Sequence, residues 1–303
     1  GDSTAVFPRR SLTPQQIEQV VDYTRRIALA MGVKGVVNIQ YVLHEGRLYV
    51  LEVNPRASRT VPLMSKVTGV PLVALATRVS LGEKLADLGY AVDGLLPAPP
   101  YMTVKAPVFS FEKLGRVDIF LGPEMKSTGE VLGIDPDPAH AMYKGLVAAG
   151  AVVPTRGTVL ITLADKDKAE GAALAQGFAD LGFHVLATEG TARYLADQGL
   201  SVDTVYKIGE GHPDIVELIQ GGEIDLVINT PTRGRLPARN GFRLRRAAVE
   251  FRVPCVTSLD TARALLDVIR ALSDGRTVTV RSLGEYELLR QSRALKTGGI
   301  PPQ

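Results

Sequence analysis

A short polar stretch follows a strand-forming run and has the residue types that bind a cation beside an anion. Residues 51–60 read LEVNPRASRT, in which Glu52 and Asn54 are two positions apart. Side chains two apart on a strand share a face, so this carboxylate and this amide should point the same way. Arg56 and Arg59 come next, and guanidinium groups bind phosphate or carboxylate oxygens in a fixed geometry. The stretch therefore predicts a site for a metal ion and a phosphate.

Two strands, 36–43 and 48–54, are predicted around this stretch, because both are rich in Val and Leu and enclose a short polar loop. Loop length matters, because a register shift of one residue turns every side chain of a strand to the other face. We expect a three-residue loop, His44 to Gly46, since its glycine suits the left-handed position that such a loop requires. That register pairs Gln40 with Val50, whereas a two-residue loop would put Gln40 on the other face.

In the three-residue register, four polar side chains share one face of the hairpin: Asn38, Gln40, Glu52 and Asn54. Hard oxygen ligands with a single carboxylate suit Mg²⁺, which normally keeps nucleotide phosphates in its shell. A carboxylate that bridges two ions also helps to neutralise the charge on a transferring phosphoryl group. The alternative is a polar face that only meets solvent, but the two arginines that follow favour a binding site.

The stretch QYVLHEGRLYVLEVNPRASRTVPLMSKVTGVPL, residues 40–72, resembles the metal-binding end of an ATP-grasp ligase. Together with GPEMKSTGEVLG, residues 122–133, it is similar to the second, carbamate-phosphorylating half of the carbamoyl phosphate synthetase large subunit. The resemblance implies that two Mg²⁺ or Mn²⁺ ions bind to Gln40, Glu52 and Asn54. It also implies ATP contacts for Gln40 and Glu52. Catalytic roles are implied for Glu52 and for Arg59, which would hold the transferring phosphoryl group or the product.

The same resemblance implies partners and a limit on activity. In the family, a glutaminase small subunit supplies ammonia to the complete large subunit, which serves pyrimidine and arginine biosynthesis, and we expect a cytoplasmic protein. A lysine-bearing lid and an adenine pocket lie upstream of the matching residues in the family. This chain opens with Gly-Asp-Ser, similar to the tail of a family motif, so we expect the polypeptide alone to have no synthetase activity.

Strands and helices alternate after residue 157, which predicts βαβ units and a parallel, doubly wound sheet. We therefore expect an α/β chain, with an α+β ATP-grasp lobe over residues 1–149 and a second domain over residues 150–303. The predicted strands of the second domain are 158–163, 184–187, 202–205, 224–228 and 253–256. Its predicted helices are 168–181, 192–198, 213–220, 242–251 and 261–271. In the first half we predict helices at 14–31, 60–68, 72–81 and from about 139, and strands at 102–105 and 117–119.

Polar loops follow four of the strands of the second domain, at the carboxyl edge where open parallel sheets bind ligands. Hydroxyls, a glycine and free amides at a helix N-terminus form an anion site. Plain helix capping would explain one such loop, but several loops that converge on one crevice favour a phosphorylated ligand. The candidate residues, in chain order, are Lys168, Thr188, Gly190, Thr191, Lys207, Asn229, Thr230 and Thr232.

This pattern is similar to the methylglyoxal-synthase-like domain that ends the same large subunit. The resemblance implies an allosteric domain that binds a phosphorylated nucleotide effector such as UMP, IMP or phosphoribosyl pyrophosphate, and it leaves open a homo-oligomer through this domain. The arginine-rich residues 233–246 would border the pocket and grip a second phosphate. Some family members also bind ornithine, but Ala106 and Cys255 stand where a carboxylate and a tyrosine are needed, so we expect no ornithine response.

Other functions compete for the second domain. A methylglyoxal-synthase-like lyase acting on dihydroxyacetone phosphate needs catalytic Asp residues around the phosphate. Residues 228–232, INTPT, offer none, and Asp214 is a weak substitute. A non-catalytic nucleotide-sensing module needs no such residues. A nucleic-acid surface built on the arginine-rich segment would lack the interleaved aromatic residues on which bases stack.

Composition narrows the function classes further. A net charge of +3 is too weak by itself to indicate nucleic-acid binding. The single cysteine, Cys255, excludes an intrachain disulfide. No apolar run approaches the ~20 residues that span a bilayer. We therefore expect neither a nucleic acid nor a membrane as a partner.

Overall fold

The computed structural model describes residues 2–8, 11–90, 94–114, 117–231 and 240–297. The chain divides into two compact units. The hairpin unit comprises residues 5–105 and 279–303, and the sheet unit comprises residues 1–4 and 106–278. The boundary expected near residue 150 does not coincide with this division, because residues 106–149 belong to the same compact unit as the parallel sheet. As a boundary between two sequence families it stays a prediction.

In chain order, the described residues form these elements: β1 (Ala5–Phe7), α1 (Pro14–Ala30), β2 (Asn38–His44), β3 (Arg47–Asn54), α2 (Thr60–Thr68), α3 (Leu72–Ser80), β4 (Met102–Val108), β5 (Gly129–Asp135), α4 (Pro138–Ala148), β6 (Thr158–Thr162), α5 (Lys168–Asp180), β7 (His184–Thr188), α6 (Glu189–Asp197), β8 (Asp203–Val205), α7 (Ile215–Gln220), β9 (Leu226–Asn229), α8 (Asn240–Glu250), β10 (Cys255–Val256), α9 (Leu259–Ser273) and α10 (Leu283–Thr297). The helices and parallel strands expected from the sequence are present, with ends shifted by at most three residues. The strand predicted at 117–119 is wrong, since these residues have no regular structure. β1, β5 and α10 lie outside the predicted set.

Capping side chains set the starts of several helices. Thr13 Oγ1 accepts the Gln16 N–H while Gln16 Oε1 accepts the Thr13 N–H, so α1 begins with a reciprocal capping box. Asp137 accepts two backbone N–H groups at the start of α4, and Ser258 accepts one at the start of α9. Each cap satisfies amides that the first helical turn leaves without an intrahelical acceptor.

The β2–β3 hairpin turns through two residues, Glu45 and Gly46, which both have left-handed backbones with φ of 49° and 76°. The expected three-residue loop is therefore wrong. A β-bulge beside Gln40 compensates for the shorter turn, because it shifts the register of the remaining pairs by one residue. Gln40 lies opposite Glu52, whereas the expected three-residue loop would pair it with Val50. With the bulge, Gln40 lies on the same face of the hairpin as Glu52. A two-residue turn without the bulge would place Gln40 on the opposite face.

The sheet unit is built on five parallel strands in the order β10-β9-β6-β7-β8. One face is covered by a core that includes Phe178, Leu195 and Ile269, from α5, α6 and α9. The other face packs against Ile219 and Leu244, from α7 and α8. Helices on both faces bury both sides of the sheet, so the predicted doubly wound α/β architecture is confirmed.

Among the described helices, none is by itself long and apolar enough to cross a membrane. The consecutive helices α2 and α3 reach the required length and hydropathy only as a pair, and they meet at a bend of 111°.

Two glycines of β5 provide a matched test of how this strand packs. A methyl group on Gly133 would collide with the backbone of α4, at the Ala141 carbonyl and the Gly145 N–H, whereas one on Gly129 would meet open space. We expect Gly133→Ala to lower the free energy of unfolding by about 1–3 kcal/mol, and Gly129→Ala to change it by less than about 0.5 kcal/mol. Urea denaturation measures both, and equal effects of the two substitutions would contradict the described packing.

Candidate functional site

Three side chains predicted as metal ligands meet on the exposed face of the β2–β3 hairpin. Gln40 Nε2 donates to Glu52 Oε1 over 2.6 Å, and Asn54 Nδ2 donates to the same oxygen over 2.9 Å. An ionised carboxylate can only accept hydrogen bonds, so both amides must turn their nitrogens toward Glu52. Their amide oxygens and Glu52 Oε2 are left as acceptors, which could serve as ligands for a cation.

The donor set fits a hard divalent cation. It contains one carboxylate and two carboxamides, which are oxygen ligands of the kind that Mg²⁺ takes together with water or phosphate oxygens. Within the described ranges, no group of three or more His, Cys, Asp or Glu side chains is arranged to hold a metal ion. Metal binding on the hairpin would therefore depend on the amide oxygens and on a ligand such as a nucleotide phosphate.

Arg59 lies at the amino end of α2, just beyond the hairpin, and its side chain is exposed. The neighbouring Arg56 donates through Nη1 to the Ala57 carbonyl over 3.0 Å. The opposite end of α2 is anchored, because Tyr101 Oη donates to the Val67 carbonyl over 3.0 Å and Val67 is buried. The helix thus holds Arg59 at the exposed edge of the unit that carries the three ligands.

The second candidate site lies at the carboxyl edge of the parallel sheet. Thr191 Oγ1 accepts the Leu163 N–H over 3.2 Å, and Thr230 Oγ1 accepts the Ala164 N–H over 2.8 Å. Each hydroxyl still has its own proton to donate. The loop after β6 is therefore held between α6 and the end of β9, with a hydroxyl donor on either side.

The structure starts α6 at Glu189, three residues before the predicted start. Gly190 and Thr191 consequently lie in the first helical turn, where backbone N–H groups lack intrahelical acceptors and attract anions. Thr188 precedes the helix without capping it through its side chain. This extra turn brings the amides and the Thr191 hydroxyl to one helix end.

A lysine approaches that helix end. Lys168 Nζ would lie 3.7 Å from a Cβ added at Gly190, so the glycine keeps space open beside the ammonium group. Lys168 is largely buried and pairs with the exposed Asp165 over 2.7 Å. The hydrogen bond from Lys168 holds the pKa of Asp165 below its ordinary value. The ammonium group is therefore held by Asp165 and positioned beside the first turn of α6.

The remaining predicted residues occupy the same edge of the sheet with different surroundings. Lys207 follows β8, is partly exposed, and lies 3.6 Å from Glu210. Asn229 ends β9 and is buried. Thr232 lies outside the described residues. The contacts described above bring together Lys168, Gly190, Thr191 and Thr230.

The expectation that the arginine-rich segment grips a second phosphate is corrected for two of its members. Arg245 and Arg246 are buried. Arg245 donates to Asn229 and Asp118, and Arg246 donates to backbone carbonyls of the loop at 111–114. Their guanidinium groups serve contacts inside the fold, and residues 233–239 of the segment lie outside the described residues.

Asp118 has no part in the sequence-based expectations, and Arg245 has a role other than the expected one. Burial raises the pKa of Asp118, but hydrogen bonds from Arg245 and the Phe120 N–H outweigh it, so the pKa lies below its ordinary value. Burial also raises the pKa of the neighbouring Cys255 thiol to about 12, which keeps this cysteine neutral. Asp118 and Arg245 are 127 positions apart in the chain, and no local sequence pattern marks such a pair.

Asp214, the weak substitute for a catalytic Asp in the alternative lyase function, has a structural role. Asp214 caps α7, and its carboxylate accepts the N–H groups of Gly209, Val216 and Glu217. A carboxylate engaged by three backbone donors is stabilised as the anion and is poorly placed to exchange protons with a substrate. The described residues therefore give the lyase no support at this position.

Comparisons with known proteins define the class of the chain. Residues 1–88 match the model of the carbamoyl-phosphate synthase L chain ATP binding domain, and residues 170–257 match the MGS-like domain. The hairpin ligands and Arg59 lie within the first match, and the residues from Thr188 to Thr230 lie within the second. The chain thus combines an ATP-binding domain of this kind with an MGS-like domain, in the expected order.

A curated relative makes the likeness more specific. The carbamoyl phosphate synthase large chain of Thermomicrobium roseum is 52% identical over 287 residues, which are 94% of this chain. With the two domain matches, this places the chain in the carbamoyl phosphate synthase large-chain family, with likeness to its carboxy-terminal part. The chain spans 26% of the length of that relative.

Two solved structures resemble parts of the chain at low overall similarity. A methylglyoxal synthase from Elizabethkingia anophelis NUHP1 is 22% identical, covers 38% of this chain and 79% of its own, and has a TM-score of 0.32. A protein named ForH is 24% identical, covers 47% of this chain and 94% of its own, and has a TM-score of 0.27.

The Arg245–Asp118 pair should make stability depend on pH. Because the pKa of Asp118 is lowered in the fold, its contribution is present above the ordinary value of 3.8 and is lost as the pH falls through the folded pKa. We expect Asp118→Asn to cost about 3 kcal/mol near neutral pH, since it leaves a buried guanidinium unpaired. The cost should shrink in strong acid, where the wild-type carboxylate is itself protonated.

Urea unfolding at neutral and acidic pH measures this difference. Asp87→Asn on the exposed surface is the control, and it should change stability by less than about 0.5 kcal/mol at either pH. An Asp118→Asn cost that is equally large at both pH values would contradict the ion-pair interpretation.

Proposed function

We propose that this chain supplies the metal-binding residues of the carbamate-phosphorylating site of a glutamine-dependent carbamoyl phosphate synthase, together with an effector domain. The observation that supports the first part is the meeting of Gln40, Glu52 and Asn54 on one hairpin face. A polar face that only meets solvent would not need one carboxylate to orient two amides. It would also not need the arginines that follow in the chain. The family membership supplies the reaction class.

In the proposed site, each residue of the chain has a separate task. Gln40, Glu52 and Asn54 would hold two Mg²⁺ or Mn²⁺ ions, and Gln40 and Glu52 would also contact ATP. Bound divalent ions neutralise charge on the phosphates during transfer. Arg59 would hold the transferring phosphoryl group or the carbamoyl phosphate product through its guanidinium N–H groups. Positioning and charge stabilisation account for most catalysis in phosphoryl transfer, so no covalent role for the chain is needed.

The proposed partners follow from the same assignment. Ammonia would come from a glutaminase small subunit, and the product would serve pyrimidine and arginine biosynthesis in the cytoplasm. The carboxyl edge of the sheet would bind a phosphorylated nucleotide effector such as UMP, IMP or phosphoribosyl pyrophosphate. We propose that the isolated chain is inactive as a synthetase, so that activity is measured in a longer protein.

A chimeric large chain tests the proposed role of the metal-binding residues. In it, this sequence replaces the matching part of the Thermomicrobium roseum protein. We expect Glu52→Gln to lower carbamoyl phosphate synthesis by about 100-fold or more, because it removes the one carboxylate of the ligand set. Formation of carbamoyl phosphate from ammonia, bicarbonate and ATP is the measurement.

Glu45→Gln is the matched control, since Glu45 lies in the turn of the same hairpin and its side chain is exposed. It should retain activity close to the unsubstituted chimera. The metal-binding assignment is wrong if the two substitutions have the same small effect.

Calorimetric titration of the chain with UMP, IMP and phosphoribosyl pyrophosphate tests the effector site. We expect Thr191→Val to weaken binding about tenfold, because it removes a hydroxyl donor while keeping the side-chain shape. Lys168→Ala should weaken binding by more, since it removes a charge. Arg193→Ala, on an exposed position of the same helix, is the control. Unchanged affinity in the Thr191 and Lys168 variants would place the ligand elsewhere.

A further inference from the structure

We infer that Arg245, held by Asp118, is a positioning residue that turns the side chain of Asn229 so that the effector pocket selects anions. The inference deepens the proposed effector site and rests on it. Asn229 is a candidate ligand contact from its position after β9, but its position alone does not determine which end of its amide faces the ligand. The contacts of Arg245 decide that orientation.

The contact between Arg245 and Asn229 allows one amide orientation. Arg245 Nη1 donates to Asn229 Oδ1 over 2.6 Å. A guanidinium group has only donors and keeps its proton at every accessible pH. The oxygen of the amide must therefore face Arg245, and the two N–H donors of Asn229 Nδ2 face away from it. A flipped amide would set donor against donor in a buried place.

Arg245 is itself fixed in place. Its Nε donates to Asp118 Oδ1 over 2.7 Å and its Nη2 donates to Asp118 Oδ2 over 2.5 Å, a two-point ion pair. The exposed fraction is 8% for the Arg245 side chain and 18% for the Asp118 side chain. Burial excludes competing water, so the guanidinium cannot easily rotate away from Asn229.

The segment that carries Asp118 is braced in turn. Lys126 Nζ donates to the carbonyls of Asp118 and Phe120, over 3.0 and 2.6 Å. The carboxylate of Asp2 accepts the N–H groups of Lys126 and Ser127. The anchor of Arg245 thus belongs to a hydrogen-bonded segment rather than to a loose side chain.

A glycine leaves the space that this arrangement needs. A Cβ added at Gly241, in the first turn of α8, would lie 3.2 Å from Arg245 Nη1 and 3.8 Å from Asn229 Oδ1. The first of these distances is tighter than ordinary van der Waals contact. Any larger residue at this position would press on the atoms that orient the amide.

The consequence concerns the class of ligand. Asn229 adjoins Thr230, whose hydroxyl borders the loop after β6. In the proposed effector site, the N–H donors of Asn229 that face away from Arg245 would add to those of the Thr191 and Thr230 hydroxyls. A phosphate oxygen accepts from such a set, whereas a cation would meet only donors.

Three variants and inorganic phosphate or UMP as probes test the inference. Asn229→Asp keeps the contact with Arg245 but replaces the donors with an acceptor, so we expect stable protein and about 100-fold weaker binding. Arg245→Lys keeps the charge but cannot bridge Asp118 and Asn229 as a planar fork, so binding should weaken about tenfold. Gly241→Ala should also weaken binding. This variant replaces Arg245→Lys as the test if Arg245→Lys fails to fold.

The side-chain amide resonance of Asn229 provides a readout that a merely structural role would not move. UMP should shift it in the wild type and leave it nearly unchanged in a folded Arg245 or Gly241 variant. Wild-type binding that these variants retain at full strength, with the same shift, would overturn the positioning role alone. A wild type that binds none of the phosphorylated probes would overturn the effector site as well, so the two failures are distinguishable.

Discussion

The orientation of three side-chain carboxamides is the constraint on which both candidate sites depend. A carboxamide has a donor end and an acceptor end, and a charged neighbour that only accepts or only donates decides which end is left for a ligand. Glu52 accepts from Gln40 and Asn54, which leaves their oxygens for a cation. Arg245 donates to Asn229, which leaves its nitrogen for an anion. We propose that fixed charges thus give the same chemical group opposite binding preferences.

Each orientation requires backbone geometry that local sequence only partly determines. On the hairpin, a tight turn and a bulge act together to place Gln40 opposite Glu52. At the sheet edge, parallel strands end side by side, so that threonine hydroxyls from α6 and β9 hold the loop after β6. Burial differs between the sites. Gln40 and Glu52 are exposed and Asn54 is half-buried, whereas Asn229 and Arg245 are buried, so the second orientation is the more rigid of the two.

The sequence predicted the elements and pointed to the candidate site residues because the signals are local: alternating strands and helices, side chains two apart on a strand, and hydroxyls at a helix start. It failed where distant residues meet. The turn at Glu45 was assigned the wrong length, since the compensating bulge depends on the pairing of both strands. The expected phosphate contact of Arg245 is wrong, because nothing near this residue in the chain indicates its partner Asp118. The roles of the metal and effector residues remain predictions.

The central claim, that charged neighbours give the two sites opposite preferences, is tested most directly by following side-chain amide resonances of the isotope-labelled chain. The chain is titrated first with Mn²⁺ and ATP and then, in a separate sample, with UMP. The account predicts that Mn²⁺ broadens the resonances of Gln40 and Asn54 at the lowest concentrations, and that UMP shifts that of Asn229 while leaving those two in place. Preferential broadening of Asn229 by Mn²⁺, or shifts of Gln40 and Asn54 without Asn229 on addition of UMP, would contradict it.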